Sequence, residues 1–322
     1  MAHITLLVED LREMAGALPG DARYPALELI LARGRPAART FPTANHLRLA
    51  LFGAKAGGQA PVAALTHIAE SESVPGTDSY WLRADPVSMR ADMARVFIVA
   101  AGMEGLDGDQ RSAFDRVVRD VLAYEGIEVP DGQAGPWCFP LADDPEIDFT
   151  ALHEALGMDV AEALPGLGEA SRWKRIMTEI QVELHALDRQ AKEPAGANSV
   201  WFWGGGRLPK LEGRSFDAVI SDDPVSRGLA VMAGSSLLPS VQEARREDSV
   251  LIDWMPKTRD AVRECRELDQ LSRGLLEKVA RGGRLVLEDG GSVSRAVDRS
   301  ALRRFWRRSK PLGGFFSREG DG

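Results

Sequence analysis

The chain has 322 residues, 44% of them hydrophobic and 27% charged, with a formal net charge of −8. That composition excludes a disordered or fibrous chain, and no run nears the roughly 18–20 apolar residues of a membrane span. The acidic balance also argues against general nucleic-acid binding, which needs clustered Lys and Arg.

The start reaches Glu9 and Asp10 before a signal-type apolar core can form, so a cytoplasmic location with no membrane partner is expected. Residues 3–8 read as a buried strand, 24–38 as a helix and 45–52 as a second helix. Gly57, Gly58, Ser71, Ser73, Pro75 and Gly76 mark a loop and a candidate domain boundary. Tyr80–Ala84 and Arg95–Val99 read as paired strands around a turn at Asp85-Pro86. An amphipathic helix follows, carrying Phe114, Val117, Val118, Val121 and Leu122, and then a strand at Trp137–Phe139. Strand-strand-helix-strand in this span predicts a small α+β insertion.

From Glu169 the helical period returns, with Trp173, Met177, Ile180, Leu184 and Leu187 on one face. Thr178, Gln181 and His185 form a polar strip that suits either a cleft or a solvated flank. Ser199–Trp203 reads as a strand running into Gly204-Gly205-Gly206, and 217–220, 249–252 and 284–287 read as further strands. Helical segments at 225–233 and 262–279 separate them, which predicts an α/β sheet, predominantly parallel. The sequence divides accordingly into a core of 1–76 with 152–322 and an insertion of 77–151.

Open α/β sheets bind ligands at strand carboxyl ends, so Asp222, Asp223, Asp253 and Asp289 are candidate cation ligands, or else caps of the turns and helices that follow. Trp201 through Arg207 lacks the Lys-Ser/Thr of a phosphate-binding P-loop, and Leu208-Pro209-Lys210 does not open a helix. There is no Gly-x-Ser-x-Gly elbow, and Cys138 and Cys265 are too few for a disulfide framework or a cysteine metal cage. Five histidines are present (His3, His46, His67, His153 and His185), none of them after His185. Near the C-terminus Arg303, Arg304, Arg307, Arg308 and Lys310 surround Phe305 and Trp306. That stretch reads as an amphipathic helix with a solvated basic face, or as a contact for an acidic or phosphate-rich partner.

The run Trp173 to Pro209, with Thr178-Glu179-Ile180-Gln181 and Ala197-Asn198-Ser199-Val200-Trp201-Phe202-Trp203-Gly204-Gly205-Gly206, resembles the bacterial regulator-of-pathogenicity-factors E-type family. Trp81-Leu82-Arg83-Ala84-Asp85-Pro86-Val87 resembles that family's other hallmark. The family pattern places a His after Ala-Asp-Pro-Val and a His-Pro-Val-Asn string after the Glu-Ile-Gln helix; Ser88 and Ala186-Leu187-Asp188-Arg189 stand there instead. That family is similar to the cofactor-independent, archaeal-type phosphoglycerate mutases of the alkaline phosphatase superfamily. The resemblance implies an alkaline-phosphatase-like, mostly parallel sheet flanked by helices, with a small α+β insertion domain. Thr43-Ala44-Asn45 is similar to the mutases' Thr-Pro-Asn segment, and Arg83-Ala84-Asp85 to their Arg-x-Asn hairpin.

The mutases use two metals held by Asp and His to transfer a phosphoryl group. Here Asp289-Gly290 resembles their late Asp-His pair without its imidazole, and Asp253 their His-containing strand end. Their following Asp-Glu-x-x-His is reduced to Asp260, and Leu7-Val8-Glu9-Asp10 shows no clear equivalent of the early Asp-Gly strand end. The resemblance therefore implies a degenerate two-metal centre and a binding or regulatory protein with no cofactor. Its ligand would be a small phosphorylated molecule or a protein partner, held by Arg83, Asp85, Glu179, Gln181, Asn198, Trp201, Trp203 and Arg207 in a cleft between core and insertion. The alternative is a Mn²⁺- or Mg²⁺-dependent phosphomutase or phosphatase using Asp222, Asp223, Asp253 and Asp289.

Overall fold

The computed structural model describes residues 3–36, 41–54, 58–76, 78–93, 95–133, 135–164, 169–188, 196–213, 216–245, 248–290 and 293–316. The chain forms two compact units, one of residues 1–55 with 210–322 and the other of 56–209.

The first unit opens with β1 (His3–Val8), α1 (Leu11–Gly16), α2 (Pro25–Arg33), β2 (Arg35–Pro36) and α3 (Ala44–Leu51). The second unit then runs α4 (Val62–Ser71), β3 (Tyr80–Asp92), β4 (Arg95–Ala101), α5 (Gly108–Tyr124) and β5 (Trp137–Leu141). It continues through α6 (Leu152–Ala155), α7 (Val160–Ala163) and α8 (Glu169–Asp188), and ends with β6 (Ser199–Arg207). The first unit resumes with β7 (Ala218–Ser221), α9 (Pro224–Ala233), β8 (Ser236–Leu237), β9 (Ser249–Trp254) and α10 (Ala261–Ala280). After these come β10 (Arg284–Glu288), β11 (Ser294–Val297), α11 (Arg299–Leu302) and a 3₁₀ turn at Leu312–Phe315.

The first unit is a seven-stranded sheet in the order β2-β11-β10-β1-β9-β7-β8. Its five strands from β10 to β8 are parallel, and β11 and β2 add an antiparallel edge. The near-continuous apolar runs of β1, β9 and β10 suit strands covered on both faces. Register places Leu7 beside both Asp253 and Glu288, and Ser221 beside Asp253, so one level of the sheet gathers polar side chains at its carboxyl end. Helix α10 buries Cys265, Leu268, Leu275 and Val279 along one stripe. The same helix aims Asp269 at the start of α2, where its Oδ1 accepts from the amides of Ala26 (2.8 Å) and Leu27 (3.0 Å). A helix whose own N-cap residue, Tyr24, supplies no side-chain cap is thus capped from outside. Where the chain leaves and re-enters this unit, Ala54 and Leu211 form an antiparallel bridge and the Glu212 amide donates to the Gly53 carbonyl at 3.1 Å. Gly53 has φ +76°, and a Cβ there would collide with the Glu212 carbonyl.

The second unit is an antiparallel sheet with β3 at its centre, paired to β4, β5 and β6. Helices α5 and α8 supply its core with Phe114, Val118, Trp173 and Ile180, packed on Trp137, Phe139, Trp201 and Phe202.

Several expectations change. The first predicted helix ends at Arg33 rather than residue 38, because Gly34 and the pre-proline Arg35 leave helical space; residues 37 and 38 lie outside the described residues. The Gly/Ser-rich loop contains α4, whose buried Val62–Leu65 and Ile68 make it a core helix. Asp85-Pro86 is not a turn: β3 runs straight through it. There both residues pair with β6 alone, between the stretches paired to β5 and β4, where a residue without an N–H costs no ladder bond. The Ser199 strand joins β3 instead of alternating within the parallel sheet. With it α4 and α8 belong to the second unit, which spans 56–209, while the insertion read from the sequence is 77–151. The basic C-terminal stretch is a series of turns after α11, not a helix.

Candidate site at the carboxyl ends of the parallel strands

Thr43 caps α3, accepting from the His46 amide, and the helix turns Ala44, Leu47, Arg48 and Leu49 inward. One of the four is a charged residue on an otherwise apolar face. The Arg48 side chain is 2% exposed, so its charge must be met inside the protein. Its Nε donates to Asp253 Oδ2 at 2.8 Å and its Nη2 to Asp253 Oδ1 at 3.2 Å, a bidentate pair. Nη2 also donates to Glu9 Oε2 at 2.7 Å, and Nη1 to Asn45 Oδ1 at 3.0 Å. Asp223 Oδ1 lies 3.3 Å from Nε.

Three strand ends therefore converge on one guanidinium: Glu9 follows β1, Asp223 follows β7 and Asp253 lies near the end of β9. The Asp253 side chain is fully buried, and its Oδ2 also accepts from Ser226 Oγ at 2.6 Å. Asp223 caps α9 through the Ser226 amide at 2.9 Å. Burial alone would lower the Arg48 pKa, but the charges of Asp253, Asp223 and Glu9 outweigh it and raise the value, so the cation is permanent. Burial pushes the Asp223 carboxyl up; Arg48 opposes this and Asp253 reinforces it. Beside the cluster lies a cleft of about 310 Å³ lined by Glu9, Asp10, Arg12, Glu13, Asp289 and Gly290.

The sequence-predicted acidic candidates separate. Asp223 and Asp253 share Arg48, whereas Asp222 is exposed. Asp289 holds a turn by accepting from the Val293 amide at 2.7 Å, and it borders the cleft. Asp260 caps α10 through the amides of Val262 and Arg263. As they stand, these residues do not fit a divalent metal pair: both Asp253 oxygens and Asp223 Oδ1 already accept from Arg48 or Ser226, and the guanidinium occupies the space they face. Among the described residues no group of three or more His, Cys, Asp or Glu is arranged to hold a metal ion. The sequence offers no site candidate at Arg48, Glu9 or Ser226, and it marks Asn45 only through the resemblance of Thr43-Ala44-Asn45 to the mutases' Thr-Pro-Asn segment. The available signal was Arg48 itself, four residues after Ala44 on the buried face of α3.

Of the eight predicted ligand-cleft residues, all in the second unit, three meet. Arg83 pairs bidentately with Asp85 (2.7 and 2.8 Å), and Trp203 Nε1 donates to Asp85 Oδ2 at 2.6 Å. The Arg83 guanidinium also lies 5.3 Å from the Trp203 ring and donates to Thr66 Oγ1 at 3.2 Å. The other five do not join them. Asn198 pairs with the backbone of Met89 through both its amide atoms, and Gln181 reaches the Met89 sulfur at 3.4 Å. Trp201 is core and donates to the Thr150 carbonyl, Glu179 lies 3.6 Å from Arg175 on its own helix, and Arg207 is exposed. Thr178 and His185 are exposed, so the polar strip of α8 faces solvent at both ends, with half-buried Gln181 between them. Gly204–Gly206 stay within β6. A Cβ at Gly205 would overlap the Tyr80 hydroxyl, which accounts for the glycine without a phosphate.

No known protein-family profile matches the chain. No curated protein matches it either. Among solved structures it is similar to a cofactor-independent phosphoglycerate mutase from Thermoplasma acidophilum, with 13% identity, a TM-score of 0.46, and coverage of 99% of this chain and 95% of that one. It is also similar to a protein from Pyrococcus horikoshii, with 11% identity, a TM-score of 0.48, and coverage of 94% and 92%.

Proposed function

We propose that the chain is a phosphoglycerate-mutase-like protein whose phosphotransfer centre is degenerate, and that it acts by binding or regulation in the cytoplasm, as a divergent member of the regulator-of-pathogenicity-factors E-type family. The observation that carries this reading is Arg48, buried among Glu9, Asp223 and Asp253 at the strand ends. A two-metal mechanism needs carboxylate oxygens free to ligate and a cation that can both activate a nucleophile and spread phosphoryl charge. A guanidinium supplies positive charge but no open coordination position. With the carboxylates already engaged, and no histidine after His185, the strand ends are left to bind rather than to transfer. The ligand class is a small phosphorylated molecule or a protein partner.

The test is turnover of 3-phosphoglycerate and of a generic aryl phosphate with Mn²⁺ or Mg²⁺, alongside melting temperature with and without the metals. The expected result is no metal-dependent turnover and an unmoved melting temperature, since a ligand bound to the native state would raise it. Metal-dependent turnover abolished by Asp253→Ala or Asp289→Ala overturns the reading in favour of a phosphomutase or phosphatase.

A further inference from the structure

In the first unit, the large hydrophobic side chains exposed among the described residues are Met255, at 37%, and the adjacent Phe305 and Trp306, at 78% and 66%. The two aromatic rings touch edge to face, with centroids 5.4 Å apart at 82°. They sit in consecutive turns held at both ends, between Ala301 and Leu312, which are fully buried.

Folding enlarges the basic stretch around them with arginines from the other end of the sequence. Arg33 Nη1 donates to the Leu302 carbonyl (2.7 Å), Arg35 Nη2 to Ser300 Oγ (3.1 Å) and Arg23 Nη2 to Ser309 Oγ (3.4 Å). Arg304 in turn donates to the Arg33 carbonyl at 3.3 Å, which ties the two segments together. Arg23 is matched by Glu28. Among the described residues Arg303, Arg307 and Arg308 form no ion pair. Arg35 lies close enough to Asp298 to lower that carboxyl. A protein of net charge −8 thus keeps the guanidinium groups of Arg303, Arg307 and Arg308 unmatched beside a preformed aromatic wedge, in a segment bonded to Arg33 and Arg35.

We propose that this face docks on the anionic phospholipid headgroups of a bilayer surface, with Phe305 and Trp306 entering the interface. Guanidinium forks match phosphate oxygens bidentately, and clustered cations are drawn to anionic leaflets. Aromatic side chains beside basic ones favour the headgroup boundary, where one end is apolar and the other wet. The edge-to-face pairing covers part of one ring, which suits a wedge better than two open platforms for stacked bases. The cations come from two distant segments and form a patch, matching a plane of phosphates rather than the track of a single strand. Such docking needs no spanning element, and none of the described helices is long and apolar enough to cross a membrane. It departs from the composition-based expectation of no membrane partner, because overall charge hides a local patch of opposite sign.

The test is co-sedimentation of the full chain with vesicles of phosphatidylcholine alone and of equal parts phosphatidylcholine and phosphatidylglycerol, at low and moderate salt. The expected result is binding to the anionic vesicles only. It should weaken by about tenfold or more in Arg307→Glu/Arg308→Glu and separately in Phe305→Ser/Trp306→Ser. These side chains are exposed, so the variants keep the fold, which unchanged melting temperatures would verify. Absence of binding to anionic vesicles overturns the proposal, as does binding that survives either double substitution. Binding to single-stranded oligothymidylate or polyglutamate without vesicle binding also overturns it, and assigns the face to another polyanion.

Discussion

Each unit pairs an arginine with carboxylate, half-buried in the second unit and fully buried in the first, and the two arrangements are assembled in opposite ways. In the second unit Arg83 and Asp85 are two residues apart on β3, on the same side of the strand, and the neighbouring β6 adds Trp203. In the first unit Arg48 comes from a helix, and its partners Glu9, Asp223 and Asp253 come from three different strand ends. The local pair is an almost self-contained strand motif with one matched charge. The remote cluster exists only when the whole parallel sheet is in register, and it sets one cation against three acids. Desolvation raises the stakes in the second arrangement, because removing one partner strands the others.

The largest expected effect follows from that difference. Arg48→Ala should destabilise the first unit by about 3–5 kcal/mol, read from urea unfolding, because fully buried Asp253 loses its counter-charge. The same substitution frees three carboxylates. Mn²⁺ or Mg²⁺ should therefore raise the melting temperature of Arg48→Ala while leaving the parent protein unmoved. Equal responses of parent and variant to metal would break the contrast between a tethered cation and a bound one.

Arg83→Met should cost less, about 1–3 kcal/mol, since Asp85 keeps the Trp203 N–H. A loss as large as that of Arg48→Ala would show that the local pair is no less dependent on its surroundings. Ser226→Ala removes one hydroxyl donor from Asp253 and should cost about 1 kcal/mol by the same measurement. The smallest effect concerns pH. The folded-state value of Asp223 is raised, so its contribution is complete below the unfolded value of a carboxyl and is lost as pH rises through the raised value. Asp223→Asn removes this loss. The stability of the parent relative to the variant should fall as pH rises across that window, checked by urea midpoints at a series of pH values.

The same contrast explains what could be read before folding. Arg83, Asp85 and Trp203 were recognisable as chemistry-bearing residues because strand periodicity and a local motif put them side by side. Asp223 and Asp253 were recognisable as strand-end carboxylates, but not as partners of one arginine, because nothing in linear spacing links residue 48 to residue 253. The parallel strands were legible from apolar runs separated by helical stripes. The sheet that β6 joins is not legible, because an apolar run carries no label for its partner. Helix α4 was hidden by the glycines and serines around it, although its interior, Val62 to Ile68, is apolar.

The bridge between Ala54 and Leu211 makes the chain modular. Ala54 and Leu211, on either side of this excursion, are already backbone neighbours, so joining them directly would close a very short loop at little entropic cost. A shortened chain with a tight turn in place of 56–209 should retain the seven-stranded sheet and the strand register on which Arg48 depends, read from its circular dichroism and urea unfolding.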